Sequence, residues 1–187
     1  MIPIDIVLPK VALVEQQIAM PRLTDVAEAV CAEMARLGVA DRVRPGMTVA
    51  VTAGSRGIAN MPLILATVVA ELQRMGARPF LVPCMGSHGG ATAAGQVEVL
   101  RSLGITEETV GCPIRASMET VQIGVSAEGI PVFQDRLAFE SDGIVVVNRI
   151  KAHTDFTGPV ESGLMKMLTI GLGKHRGALA AHRHAIR

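Results

Sequence analysis

Arg56, His88, Lys151 and His153 each follow a short apolar run that is typical of a buried strand. In open parallel sheets, ligands bind beyond the carboxyl ends of the strands. A guanidinium can clamp a carboxylate, and an imidazole exchanges protons near neutral pH. If the three strands are neighbours, these residues would bring a guanidinium and two imidazoles into one crevice.

Lys166 lies in the apolar run Ser-Gly-Leu-Met-Lys-Met-Leu-Thr-Ile-Gly-Leu-Gly. Such a lysine faces either water or a desolvated cleft, which would lower its pKa and free the amine for covalent chemistry. His175, His182 and His184 follow near the end of the sequence. Imidazole is a common ligand of nickel, and residues 175 and 182 share a helix face, but a run of His and Arg also fits a solvated tail.

Each of the other candidates also has a purely structural interpretation. Arg56 fits an ordinary surface loop, and His153 fits a residue that caps a helix or bonds a carboxylate. The glycines of the Gly-Ser-His-Gly-Gly loop at 86–90 can serve a turn that needs positive φ angles. They would also let a backbone approach a phosphate, although the sequence lacks the lysine of a Walker motif.

Composition narrows the class of partner. The 187 residues carry 18 Lys and Arg against 17 Asp and Glu, a net charge of +1, with no Trp or Tyr. This balance disfavours nucleic acid and anionic membranes and leaves a small molecule as the expected partner. The longest apolar stretch, Met61–Ala70, is about half the length of a membrane span. Three scattered cysteines and an amino terminus unlike a signal peptide predict a cytoplasmic location.

The periodicity predicts an α/β fold, a mostly parallel, Rossmann-like sheet with helices on both faces in one domain. Strands are expected at Met47–Ala53, Pro79–Pro83 and Ile144–Asn148, with helices at 60–75 and from Thr92 to 103 between them. An amphipathic helix at 23–37 is expected to pack on the sheet. Thr120–Val125 and Ile130–Phe133 predict a hairpin, placed provisionally at the sheet edge.

The loop motif GSHGGAT and the longer NRIKAHTDFTGPVESGLMKMLTIGLGKHRGA resemble the lactate racemase family, enzymes built around a nickel-pincer nucleotide. The resemblance runs from about Arg44 to His184 and is densest after Asn148. It implies a 2-hydroxy-acid racemase or epimerase, an isomerase that removes a hydride and returns it through the tethered cofactor. A non-catalytic domain that binds a nucleotide or phosphate is the alternative.

The resemblance also implies roles for particular residues. Lys166 would carry the nucleotide and His182 would bind nickel, with His184 as the fallback. His88 and His153 would be the paired acid/base groups, and Arg56 would orient the substrate carboxylate. Contacts to the nucleotide are expected from the loop residues Gly86, Ser87, Gly89 and Gly90.

Relatives in this family are about twice as long and have a second α/β domain that closes over the site. Residues 1–187 are therefore expected to be the amino-terminal catalytic domain, truncated at the carboxyl end, inactive alone and without bound cofactor. The resemblance implies a missing carboxyl-terminal domain as partner and leaves a homo-oligomer open. Leu164 and Met165 depart from the best-known racemase motif, so the substrate is taken only as a 2-hydroxy acid or sugar acid.

Overall fold

A parallel sheet of three strands in the order β2-β1-β5 lies at the centre of the computed structural model, which describes residues 10–17, 21–152, 157–158 and 161–185. The strands are β1 (Thr48–Ala53), β2 (Arg78–Pro83), β3 (Thr120–Val125), β4 (Pro131–Asp135) and β5 (Gly143–Val145). The helices are α1 (Val26–Arg36), α2 (Met61–Arg74), α3 (Ala93–Ser102), α4 (Glu107–Val110), α5 (Arg136–Phe139), α6 (Leu164–Lys166) and α7 (Lys174–Ala185).

The central strand β1 is buried on both faces, as its uninterrupted run of small and β-branched residues predicts. Val49 and Val51 contribute to one apolar cluster with α2, whereas Ala50 contributes to a second cluster with α5, Met167 and Leu172. Helical segments therefore cover both sides of the sheet. The predicted α/β fold class is confirmed.

Helix α2 lies where the pattern predicts it, from Asn60 as N-cap to Met75 as C-cap. The residues that face the core are Met61, Leu65, Val68, Val69 and Leu72. Leu63 is 47% exposed and lies outside this core-facing stripe, although it is as apolar as the buried Leu72. Residues 63 and 72 are nine positions apart, which is half a turn out of phase in a helix.

The packing of α1 differs from the prediction. The helix begins at its N-cap Asp25, whose carboxylate accepts the Glu28 N–H at 2.8 Å, but only Met34 is buried. The helix packs mainly on α2 rather than directly on the sheet. The apolar spacing of α1 is satisfied by another helix, which sequence periodicity alone cannot distinguish from a sheet.

The third parallel strand is shorter and more exposed than predicted. Strand β5 pairs with β1 over Gly143–Val145 only, lies at the sheet edge and is half-buried. Beyond the strand, the Val147 N–H donates to Thr52 Oγ1 at 3.0 Å. The chain from residue 146 onward thus stays beside β1 without forming a regular ladder.

The predicted hairpin is confirmed, but its provisional place at the sheet edge is wrong. Strands β3 and β4 pair only with each other, in a separate antiparallel sheet. The Asp135 N–H at the end of β4 donates to the Leu172 carbonyl at 2.6 Å. This bond ties the hairpin to the segment that contains Lys166.

Residues 164–185 form two helical pieces joined by a sharp turn. Helix α6 continues as a π-helix over Met167–Gly171, and α7 starts at Lys174, whose φ of 54° is left-handed. The helix breaks at Leu172-Gly173, and α7 packs back on the π-helical segment. Within the described residues, no helix is long and apolar enough to span a membrane.

Candidate functional site

A cleft of about 550 Å³ opens where β1 and β2 end and where the chain leaves β5. This volume is within the range of small-molecule sites. The polar and charged side chains that line it include Arg56, His88, Asn148, Arg149, Lys151 and Lys166. None of the described lining residues is acidic, so the cleft favours an anionic ligand.

Ser55 and Arg56 follow directly from the buried end of β1. The Ser55 hydroxyl lies 2.6 Å from Nδ1 of His88, so a hydrogen bond joins the loops that follow β1 and β2. The Arg56 side chain is exposed and lines the cleft. Sequence reasoning predicted Arg56 and His88 here but missed Ser55, although its place directly before Arg56 was visible.

The Gly-Ser-His-Gly-Gly loop at 86–90 is held by close packing on both sides. Gly86 has a φ of 62°, and a Cβ there would lie 3.0 Å from Ile170 Cγ2. A Cβ on Gly89 would lie 2.5 Å from the Gly95 carbonyl carbon, so any side chain would displace α3. Ser87 and Gly90 are exposed. Packing alone accounts for Gly86 and Gly89, and none of the four predicted nucleotide contacts is among the described residues that line the cleft.

Asn148, three residues after the end of β5, connects this part of the chain to the segment that contains Lys166. Its amide Nδ2 donates to the Gly163 carbonyl at 2.8 Å. Gly163 has a φ of 121°, and a Cβ there would lie 3.3 Å from the Ile150 backbone. A glycine at this position lets residues 148–150 and 161–166 approach each other on one wall of the cleft.

Lys166 occupies the last position of α6, directly before the π-helix. Its side chain is exposed and lines the same cleft as His88 and Arg56. Its neighbour Met167 is buried on the sheet. Within the described part of the chain, Lys166 has no ion-pair or hydrogen-bond partner, so its amine is accessible from the cleft.

A second lysine, Lys174, is fully buried behind the cleft, and sequence reasoning missed it. Its Nζ lies 3.1 Å from Asp135 Oδ2, an ion pair without the alignment of a hydrogen bond. It also donates to the Pro83 carbonyl and to Gln96 Oε1. Burial raises the pKa of the neighbouring Cys84 thiol, which therefore stays protonated despite the nearby ammonium.

The other predicted histidines either do not line the cleft or fall outside the described residues. His153 is outside the described residues. His182 and His184 are exposed on α7 and are not among the described residues that line the cleft, and His175 is exposed as well. The described residues contain no group of three or more His, Cys, Asp or Glu suited to a metal ion.

An open parallel sheet with a cationic cleft at the carboxyl ends of its strands defines a small-molecule-binding α/β domain. The family model of the lactate racemase N-terminal domain matches residues 10–187, and the chain belongs to this family. A comparison with curated proteins found no match. Family membership supports a racemase-related role, a small-molecule substrate and a partner domain.

Proposed function

We propose that this chain supplies one wall of the active site of a 2-hydroxy-acid racemase or epimerase. One observation carries the proposal. Arg56, His88 and Lys166 come from three separate segments of the sequence and line one cleft at the carboxyl end of the sheet. A carboxylate-binding cation, a proton-transfer group and an accessible amine are three of the groups that this chemistry requires of the protein.

Arg56 binds the substrate carboxylate in this proposal. Its guanidinium presents paired N–H groups that match the two carboxylate oxygens, and this fixes the plane of the acid. Arg149 is also exposed in the cleft and adds positive charge. With no acidic side chain among the described lining residues, an anionic acid meets little repulsion on entering.

His88 exchanges the proton of the substrate hydroxyl. The contact between its Nδ1 and the Ser55 hydroxyl leaves Nε2 for the substrate. Racemisation needs a second proton-transfer group, because the two enantiomers present the hydroxyl differently to the protein. His153 takes that part in the proposal, and it follows Lys151, which does line the cleft.

The residues present fit a nucleotide tethered to Lys166. Lys166 is exposed and lines the cleft, and Ser87 and Gly90 are exposed on the same loop as His88, which lines the cleft too. Because α7 turns back at Lys174, residues 166 and 182 are not at opposite ends of one straight helix. His182, which is not among the described residues that line the cleft, would have to approach Lys166 to be the nickel ligand. When bound, the nickel-pincer group supplies a site that accepts and returns a hydride.

Intact mass tests this proposal. The chain is expressed in a form that includes the carboxyl-terminal domain, together with the enzymes that make the nickel-pincer nucleotide, and we expect an added mass of nucleotide size that Lys166→Ala abolishes. Lys151→Ala is the matched control, since it removes another exposed lysine from the same cleft and should keep the adduct. Wild-type chain that stays unmodified, with or without reversible nucleotide binding, would rule the proposal out.

A further inference from the structure

The buried side chain of Gln96 contacts both sides of the candidate site. Its Nε2 donates to the Gly86 carbonyl at 2.9 Å and to the His88 carbonyl at 3.3 Å. Its Oε1 accepts from Lys174 Nζ at 3.2 Å. Gln96 is therefore the link between the loop that contains His88 and the chain that runs from Lys166 into α7.

The orientation of the Gln96 amide is determined by its partners. An ammonium group can only donate, so the side of the amide that faces Lys174 must be Oε1. The two backbone carbonyls can only accept, so Nε2 must face them. Gln96 and Lys174 are both fully buried, where an unmatched polar contact is costly because water cannot replace it.

Lys174 is itself fixed by three elements. It contacts the Pro83 carbonyl at the end of β2, Gln96 on α3 and Asp135 between β4 and α5. The Asp135 carboxylate also accepts the Ala138 N–H at 2.9 Å, which caps α5. A displacement of Gln96 would therefore require rearrangement of a buried charged pair.

We propose that Gln96, oriented by the buried ammonium of Lys174, is the positioning residue that holds His88 in place relative to Lys166. The importance of this positioning for catalysis rests on the proposed function, whereas the hydrogen bonds of Gln96 do not depend on a bound cofactor. Gln96 fixes the backbone on either side of Ser87, and Ser55 fixes the ring of His88. Neither Gln96 nor Lys174 needs to touch substrate.

Two substitutions test the link by different routes. Gln96→Glu keeps an acceptor for Lys174 but has no N–H to donate to the Gly86 and His88 carbonyls. Gln96→Met has a similar length, adds no charge and makes neither contact. Gln73→Glu is the matched control, because Gln73 Nε2 donates to a backbone carbonyl, that of Gly111, at 2.9 Å away from the cleft.

The readouts use the cofactor-free full chain. We expect amide hydrogen exchange of residues 86–91 to be about tenfold faster in both Gln96 variants, measured equally far below each melting temperature. The ring-nitrogen NMR signals of His88, assigned with His88→Gln, should shift as well. Gln73→Glu should change exchange near Gly111 and leave both readouts at the loop unchanged.

The possible outcomes separate this inference from the proposed function. Wild-type exchange and ring signals in folded Gln96→Glu and Gln96→Met would overturn it. If Gln96→Glu does not fold, Gln96→Met decides, and if that variant does not fold either, Gln96 serves the whole core and the inference is wrong. The absence of an adduct on Lys166 would reject the proposed function and leave these readouts unaffected.

Discussion

At the scale of single residues, the candidate site depends on small polar groups as much as on the ionisable ones. Ser55 lies between β1 and Arg56, and its hydroxyl contacts His88 Nδ1 at 2.6 Å. A serine hydroxyl can donate to Nδ1 or accept from it, so the contact orients the imidazole ring in either tautomer and leaves Nε2 open to a ligand. In this arrangement Ser55 decides how His88 meets a ligand.

Ser55→Ala should release this constraint. Because the ring loses its partner on Nδ1, we expect the Nδ1 signal of His88 to shift in long-range proton–nitrogen NMR spectra of the ring. Racemisation by cofactor-loaded protein should fall about tenfold, the effect of losing one orienting hydrogen bond. Ser102→Ala, which removes an exposed hydroxyl from α3, is the control, and an unchanged ring spectrum in Ser55→Ala would contradict the prediction.

At the scale of secondary structure elements, the short edge strand β5 is held by a side chain. Asp142, just before the strand, accepts the Thr48 N–H at 2.7 Å and the Thr48 hydroxyl at 2.8 Å. These bonds lower the pKa of the Asp142 carboxyl. They fix the start of β5 against β1, and so the direction in which residues 146–151 reach the cleft.

Asp142→Ala should therefore destabilise the fold in a pH-dependent way. A carboxyl whose pKa is lowered by folding contributes stability above its unfolded pKa of about 4, and this is lost as the pH falls through the lower folded pKa. Urea unfolding of wild type and variant should differ most near neutral pH and converge in acid. Glu140→Gln changes a nearby exposed side chain, and its difference in free energy of unfolding from wild type should not shrink in acid. If the difference for Asp142→Ala is the same at every pH, the Asp142 carboxylate does not stabilise the start of β5.

The π-helix after Lys166 requires a glycine at its end. A Cβ on Gly171 would lie 2.8 Å from Met167 Sδ and 3.1 Å from the Cys84 carbonyl oxygen. Gly171→Ala should therefore cost about 1–3 kcal/mol in free energy of unfolding, the usual effect of overpacking. Gly124→Ala, with nothing within 4 Å of the added carbon, should stay within about 0.5 kcal/mol of wild type. If urea titrations show the same free energy of unfolding for Gly171→Ala and Gly124→Ala, the atoms around position 171 move to accommodate the added carbon and the prediction is wrong.

Elements with local signals were predictable from the sequence, and contacts between distant elements were not. β1, α2, β2 and α3 follow from apolar runs bounded by residues such as Pro45 and Gly76. The edge position of β5 and the separate hairpin depend on pairing choices that an apolar pattern does not encode. Packing of α1 on another helix is invisible for the same reason.

At the scale of the whole molecule, the site combines segments far apart in the chain. The positions of Arg56 and His88 were predictable because their loops follow strands, and Lys166 stood out because the motif around it resembles one family. The buried positions of Lys174 and Gln96 were not predictable, since a lysine in Gly-Lys-His and a glutamine in a helix ordinarily face solvent. Only the fold shows that Lys174 contacts both Gln96 and Asp135 in the interior, beside the ends of β2 and β4.

The buried pair of Lys174 and Asp135 should dominate the stability of this junction. Lys174→Met leaves the Asp135 carboxylate buried without its cation, which should cost about 3–5 kcal/mol in free energy of unfolding. Asp135→Asn combined with Lys174→Met removes both charges, while the Asn side chain can still accept the Ala138 N–H that caps α5. The double variant should therefore be more stable than Lys174→Met alone. Urea unfolding of wild type, both single variants and the double variant gives the coupling free energy between the two positions. Additive losses would mean that the ion pair contributes nothing to the junction, and that Lys174 is held by Gln96 and the Pro83 carbonyl alone.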